Sequence, residues 1–284
     1  MQTLLTVVPD HRLAPFVRCF AQRETSPDSP PIVRALVGSL ENILSLDLCD
    51  PTIHNYPTGR AAFQFRTQLL GAQTRCPGSV SLSGHVLSFG IFFRPFAPWQ
   101  LFGIPAAELT DLECDATAVM GSWVAELWHK IGECRTFSKR ITVATETLLM
   151  FVNAVRPLTS IMSTVHRLRP SPEPSRITQV ARESAMSIRS YERQFAGEMG
   201  MSPKSFARLS RFATAIDLKR RSKDSWLNIS HDVGYFDQMH MNRDFRIFGG
   251  DAPGRLVRTD SDLQPWSIRS QLRTNEAERV ARKP

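Results

Sequence analysis

Arg189 and Arg193 stand four residues apart, about one helical turn, behind a Ser187 that suits a helix N-cap. Fifty residues further on, Gln238, Met239, His240, Asn242 and Arg243 follow Asp237 in the same way. These side chains have the chemistry of base edges. A guanidinium fork bonds guanine O6 and N7 together, Gln and Asn amides suit adenine, and a thioether suits the thymine methyl; a good bidentate pair discriminates by ~1 to 3 kcal/mol. On a helix that begins after Ser187, the residues Arg189, Ser190 and Arg193 project opposite Ile188, Tyr191 and Phe195, so Arg189 or Arg193 can face a major groove. The competing role for each arginine is phosphate contact alone, or pairing with Glu192 and Glu183. The candidate DNA-binding residues are thus Ser187, Arg189, Ser190 and Arg193 in one set, and Gln238, Met239, His240, Asn242 and Arg243 in the other.

The elements that must position these residues form an internal repeat. At a constant offset of fifty, Ser187 pairs with Asp237, Arg193 with Arg243, Phe195 with Phe245, Gly200 with Gly250 and Pro203 with Pro253. Each copy reads as cap, amphipathic helix and stop, because Gly suits a helix C-terminus and Pro bars continuation. Upstream of each cap lies a shorter amphipathic stretch, Ile177 to Ala185 and Leu227 to Tyr235. Small residues, Ala181 with Ala185 and Ser230 with Gly234, recur there where two helices must approach closely. Helix, tight turn and capped helix make a helix-turn-helix unit, present twice. Between the copies, Phe206, Leu209, Phe212, Ala213 and Ile216 predict one long helix from Pro203 to about Arg221, and Ile161, Val165 and Leu168 predict another upstream.

The run Gly234-Tyr235-Phe236-Asp237-Gln238-Met239-His240-Met241-Asn242-Arg243-Asp244-Phe245-Arg246 resembles the signature of the AraC/XylS family of bacterial transcription regulators. The resemblance covers about residues 158–256. It departs from the family at Ser230, usually Ala, and at Gly250-Asp251-Ala252-Pro253, where Ser or Thr commonly precedes the Pro. It implies a sequence-specific transcription regulator whose single chain reads two major-groove half-sites about one turn apart, ~34 Å, on double-stranded promoter DNA. RNA polymerase, a small-molecule effector and a homodimer through the N-terminal domain are compatible with it. Lys204, Arg208, Arg211, Lys219, Arg220, Arg221 and Lys223, on or beside the long helix, are candidates for phosphate contact, which raises affinity and salt sensitivity without specifying sequence.

Residues 1 to about 130 alternate short apolar runs with Pro and Gly breaks: Ile43 to Leu48, Ala62 to Phe65, Val80 to Leu82 and, strongest, Val86 to Phe93. They predict an antiparallel sheet or half-barrel, with helices over 122–131 and 139–155 covering it or forming an interface. The stretch Gly90 to Pro105, with Glu108-Leu109-Thr110-Asp111 after it, is similar to the N-terminal domain of one branch of the same family. That similarity implies a cupin-like sensing or dimerisation module with an effector pocket near Phe93, Arg94 and Trp99. The competing expectation is that these aromatics fill a β core, and no effector-binding residue is assigned.

The chain of 284 residues allows about two domains, and 42% apolar with 22% charged residues excludes collagen-like, wholly disordered and membrane-spanning classes. Residues 1–170 carry 15 basic and 13 acidic side chains, and residues 171–284 carry 20 and 14, so the net charge of +8 sits mostly in the second part. That asymmetry favours a polyanionic partner there. The expected fold is α+β: a β-rich N-terminal domain over 1–156, an all-α double helix-turn-helix domain over 157–258, and a poorly ordered polar tail over 259–284.

No secretory signal is evident at the N-terminus, so a cytoplasmic chain with no membrane partner is expected. Cys19, Cys49, Cys76, Cys114 and Cys134 are an odd set without a Cys-x-x-Cys pair, expected as free thiols. His231 and His240 have neither zinc-protease nor zinc-finger spacing, and His11, His54 and His85 stand far apart, so no metal, cofactor or catalytic residue is expected. Cys76 precedes a Pro instead of following one, unlike a repair methyltransferase nucleophile. The alternatives kept beside the regulator are an interaction scaffold that binds no DNA and a cupin-like small-molecule-binding protein or enzyme.

Overall fold

The computed structural model describes residues 2–56, 65–168 and 174–257. Most of the Ala62 to Phe65 run and the whole 259–284 tail lie outside the described residues.

The N-terminal part contains nine strands: β1 (Gln2–Val7), β2 (Val17–Thr25), β3 (Ile32–Leu36), β4 (Asn42–Asp47), β5 (Ile53–Asn55), β6 (Thr67–Leu70), β7 (Gly78–Leu82), β8 (Leu87–Phe93) and β9 (Glu113–Asp115). They form a six-stranded sheet, β1-β2-β8-β4-β6-β9, and a three-stranded sheet, β3-β7-β5, in which neighbouring strands of the described residues pair antiparallel. Strand β8 lies between β2 and β4 and is buried on both faces, which is why its sequence reads as a nearly unbroken apolar run.

Alternation then sorts its side chains. Phe89, Ile91 and Phe93 join Phe20, Leu44, Leu46 and Leu69 in the core on one side, whereas Phe92 packs with Cys19, Ala21 and Ile43 on the other. The first of these faces is covered by helices. After a π-helical turn at Pro98–Phe102 come α1 (Ala106–Leu109), α2 (Ala116–Met120), α3 (Trp123–Gly132) and α4 (Phe137–Val152). Val124, Leu127, Ile131, Ala144 and Leu148 pack into that core, so the two longer helices cover the sheet as their apolar spacing predicts.

The C-terminal part is all helical: α5 (Ser160–Leu168), α6 (Pro174–Glu183), α7 (Ile188–Met199), α8 (Pro203–Arg221), α9 (Trp226–Asp232), α10 (Gln238–Gly249) and α11 (Pro253–Leu256). Helix α8 is the axis of the group. Phe206, Leu209, Phe212, Ala215 and Ile216 are buried along it, and both α7 and α10 pack against it. Ala181 and Ser230 are fully buried where the helices of each unit meet, as their small size predicts. Their partners four residues on have another job: Ala185 and Gly234 hold positive φ, 55° and 77°, and make the turns.

The two parts share packing. Val37, Leu40 and Ala72 from the β-rich part belong to the same apolar cluster as Leu209, Phe212 and Phe248. A Cβ on Gly38 would come 3.0 Å from Leu209 Cδ1 and 3.2 Å from Phe248 Cβ, so the backbones meet there only because the residue is Gly.

Candidate nucleic-acid interface

Both candidate recognition helices start as their sequences dictate. The Ser190 N–H donates to Ser187 Oγ at 3.2 Å, and the His240 N–H donates to Asp237 Oδ1 at 2.6 Å, so each cap accepts from the third residue beyond it. Both end on left-handed glycines, Gly200 and Gly250. Tyr191, Phe195 and Met199 bury one side of α7, and Met241, Phe245 and Phe248 bury one side of α10.

What remains outward is the set of candidate base-contacting residues. Arg189, Arg193, Gln238, Met239, His240 and Arg243 are exposed, with Ser190 and Asn242 half-buried. Among the described residues, the side chains of Arg189, Arg193, Gln238, Asn242 and Arg243 form no hydrogen bond or ion pair. The expected alternative, pairing of the arginines with Glu192 or Glu183, is therefore not made. One detail differs from the sequence expectation. Ile188 is 44% exposed and does not share the inward side with Tyr191 and Phe195; Met186, before the cap, packs against the core instead. The Ser187 oxygen accepts the cap bond, so its structural role is already filled. His240 stands with its ring edge-to-face to Tyr235 at 6.0 Å while keeping an exposed side.

The basic residues of α8 divide into two kinds. Arg208 donates from Nε and Nη2 to the buried Asp244 Oδ1 at 2.9 and 2.5 Å, tying α8 to α10. Arg211 is buried, lies 4.7 Å over the Tyr235 ring and reaches the Gly234 carbonyl at 3.3 Å; burial lowers its pKa. Burial, with the Asp244 carboxylate nearby, likewise raises the Tyr235 phenol. Lys219 donates to the Asp224 carbonyl at 2.7 Å, and Arg221 pairs with Asp217 at 2.7 Å. Of the seven basic candidates for phosphate contact, Lys204 and Lys223 are exposed with side chains that make no contact of this kind among the described residues.

The β-rich part holds the far ends of both helices. The Thr110 hydroxyl donates to the Met199 carbonyl at the end of α7, at 3.1 Å. The Gly38 and Cys76 N–H groups donate to the Phe248 and Ile247 carbonyls at the end of α10, at 2.6 and 2.8 Å. Carbonyls at a helix C-terminus lack intrahelical partners, so these bonds satisfy groups that the helix leaves open.

A cavity of about 780 Å³, open mouth included, lies between the two sheets. Apolar walls from Ile43, Leu70, Val80 and Phe92 surround a polar set that includes Arg23, Gln68, His54 and Glu113. His54 Nδ1 stands 2.8 Å from the Glu113 carboxylate and joins the small sheet to the large one. Burial pulls the Arg23 guanidinium down to about 10, with Asp47 acting in the opposite direction, so it stays charged near neutral pH. The pocket expected at Phe93, Arg94 and Trp99 is not where the cavity is. Phe93 is buried against Phe102, Arg94 donates to the Ala14 carbonyl at 2.8 Å, and Trp99 donates to the Pro157 carbonyl at 3.2 Å. Period two explains the shift, since Phe93 faces the covering helices and its neighbour Phe92 faces the cavity. The signal missed in sequence was Arg23, a buried basic residue in strand β2.

Residues 180–259 match the helix-turn-helix domain family HTH_18, and residues 5–115 match a domain of unknown function, DUF6597. No curated protein sequence matches the chain. A crystal structure of an apo variant of ToxT from Vibrio cholerae strain SCE256 is similar in fold, with a TM-score of 0.52 at 10% identity, over 89% of this chain and 99% of that one. A structure of unsaturated fatty acid bound wild-type ToxT from the same strain gives a TM-score of 0.44 at 10% identity, over 90% and 93%. None of the described helices is long and apolar enough to cross a membrane. Residues 180–259 thus carry a helix-turn-helix domain, built as paired capped helices on one axial helix, with a β-rich part before it.

Proposed function

We propose that the protein binds promoter DNA sequence-specifically through two successive major-groove half-sites, one read by α7 and one by α10. The observation that carries this is the pair of equivalent helices whose outward arginine and amide side chains have no hydrogen-bond or ion-pair partner among the described residues. Arg189 and Arg193 suit guanine; Gln238 and Asn242 suit adenine, and Met239 suits a thymine methyl. Both helices are fixed on the 19-residue α8, about 28 Å long at 1.5 Å per residue, commensurate with the ~34 Å turn of DNA. One chain then reads an asymmetric site without dimer symmetry. The proposed division is 1–156 for sensing or dimerisation and 157–258 for DNA, acting in the cytoplasm and without a catalytic step.

Effector control through the cavity between the sheets belongs to the same proposal. Its wall includes Leu36 at the end of β3, and Val37, Ser39, Gln73 and Pro77 from the two loops whose Gly38 and Cys76 N–H groups hold the end of α10. A ligand that moves those loops changes how α10 is held, and so changes DNA affinity by its preference for one arrangement.

The test is selection of bound duplexes from a random pool by the full chain at about 0.15 M salt, beside Arg193→Ala. The expected result is a bipartite site with half-sites about one turn apart, relaxed by the substitution at specific bases. Recovery of two-fold symmetric sites only, or of no preference at all, refutes the proposal as stated. Blocking the cavity with Val80→Trp, with melting checked, is expected to abolish any ligand effect on DNA affinity while leaving binding itself intact.

A further inference from the structure

Phe236 is the most exposed large apolar residue described, at 88%, and Met239 follows at 80%. Phe236 directly precedes the α10 cap, Asp237, and a residue there ordinarily has a structural task. An apolar side chain before the cap packs against the fourth residue of the helix and fixes the entry angle of the chain. In the first unit that task is filled, because Met186 packs against the core cluster that contains Tyr191. In the second it is not, since Met241 is fully buried while Phe236 stands in solvent. No folding role accounts for an aromatic there.

The position of Phe236 suggests its use. It lies at the end of α10 that carries Gln238, Met239, His240, Asn242 and Arg243, and the N-terminal end of a recognition helix is the part that meets base edges. An exposed phenyl ring offers no hydrogen bond, so the base feature it can select is the thymine C5 methyl, the apolar group of the major groove. At the equivalent positions fifty residues earlier stand Met186, tucked against the core, and Arg189, a guanidinium. The two helices therefore present different chemistry at corresponding points.

We infer that Phe236, together with Met239, forms an apolar contact that selects thymine in the half-site read by α10. The inference rests on the DNA-binding proposal above and adds a specificity-determining residue outside the polar recognition set. Burying one methyl contributes about fourfold in affinity, from ~0.8 kcal/mol per methylene-sized group and 1.4 kcal/mol per decade.

The test uses the full chain and the duplexes recovered by selection, with each thymine replaced in turn by deoxyuridine, which keeps base pairing and lacks the methyl. Wild type is expected to lose about fourfold at one or two positions of a single half-site, and Phe236→Ser, whose exposed site leaves the fold intact, is expected to lose that sensitivity. Met239→Ala separates the share of the second side chain. Sequence-selective binding that ignores uracil at every position, or a Phe236→Ser protein with unchanged uracil sensitivity, overturns the inference and leaves DNA binding standing. Failure to bind any duplex selectively overturns the DNA-binding proposal and the inference with it.

Discussion

The two helix-turn-helix units share a scaffold and differ on their outer faces. Tyr191 and Phe195 in α7 correspond to Met241 and Phe245 in α10, and all four are fully buried. Both helices are capped three residues in, and both end on a left-handed glycine. Among the candidate base-contacting residues, α7 presents two guanidinium groups and a hydroxyl, whereas α10 presents amides, a thioether, an imidazole and one guanidinium, with Phe236 ahead of them. Packing constrains the inner positions of both copies in the same way, and solvent leaves the outer positions free to diverge. Under the proposed function, a repeat of one structural unit then reads two different half-sites.

The units also differ in how they are fastened, and the largest expected effect lies there. Only α10 has a buried carboxylate bonded to a guanidinium of α8. Arg208→Met leaves Asp244 buried and uncompensated, and is expected to destabilise the fold by ~3 kcal/mol, measured by urea unfolding. An unchanged midpoint would show that Arg211 alone suffices for Asp244.

Next in size is the difference in readout. Arg193→Ala is expected to cost ~1 to 3 kcal/mol of discrimination at one base pair of one half-site, with the other half-site unaffected. Uniform weakening over all sequences would instead assign Arg193 to phosphate. The caps provide a third comparison. Ser187→Ala and Asp237→Ala are each expected to cost ~1 kcal/mol in thermal unfolding, with Asp237 the greater because its carboxylate also meets the positive end of the helix dipole. Equal losses would mean that the dipole contributes nothing at this surface. The smallest effect is expected at Lys223: Lys223→Ala should lower the slope of log affinity against log salt by about one, with no change in sequence preference, if that side chain meets a phosphate.

Much of the DNA-binding part was legible because its signals are local. Ser187 and Asp237 cap the helices within three residues, Gly200 and Gly250 end them, and the buried positions recur at helical spacing. Each of these acts through neighbours a few residues away, so the one-dimensional pattern contains the cause. The same holds for β8, whose apolar run announces a strand, although its burial on both faces came from the pairing with β2 and β4. Ile188 is exposed where an inward position was expected because helical spacing places a residue on an arc, and which part of that arc is covered depends on what packs there.

The residues that needed the fold act across long separations. Arg208 and Arg211 look like any basic face of a helix until α10 brings Asp244, and the turn after α9 brings Tyr235, against them. His54 and Glu113 meet only because β5 and β9 belong to facing sheets. Gly38, Cys76 and Thr110 carry no motif, and only the docking of the β-rich part sets their donors against the ends of α7 and α10. The amino-acid sequence by itself determined the caps, the repeat and the residue types offered to DNA, because short-range hydrogen bonding and periodicity are written in adjacent residues. Which charges are consumed inside the protein, which stay open for a partner, and what holds the two helices in place were decided by tertiary packing, because burial and pairing depend on residues distant in the chain.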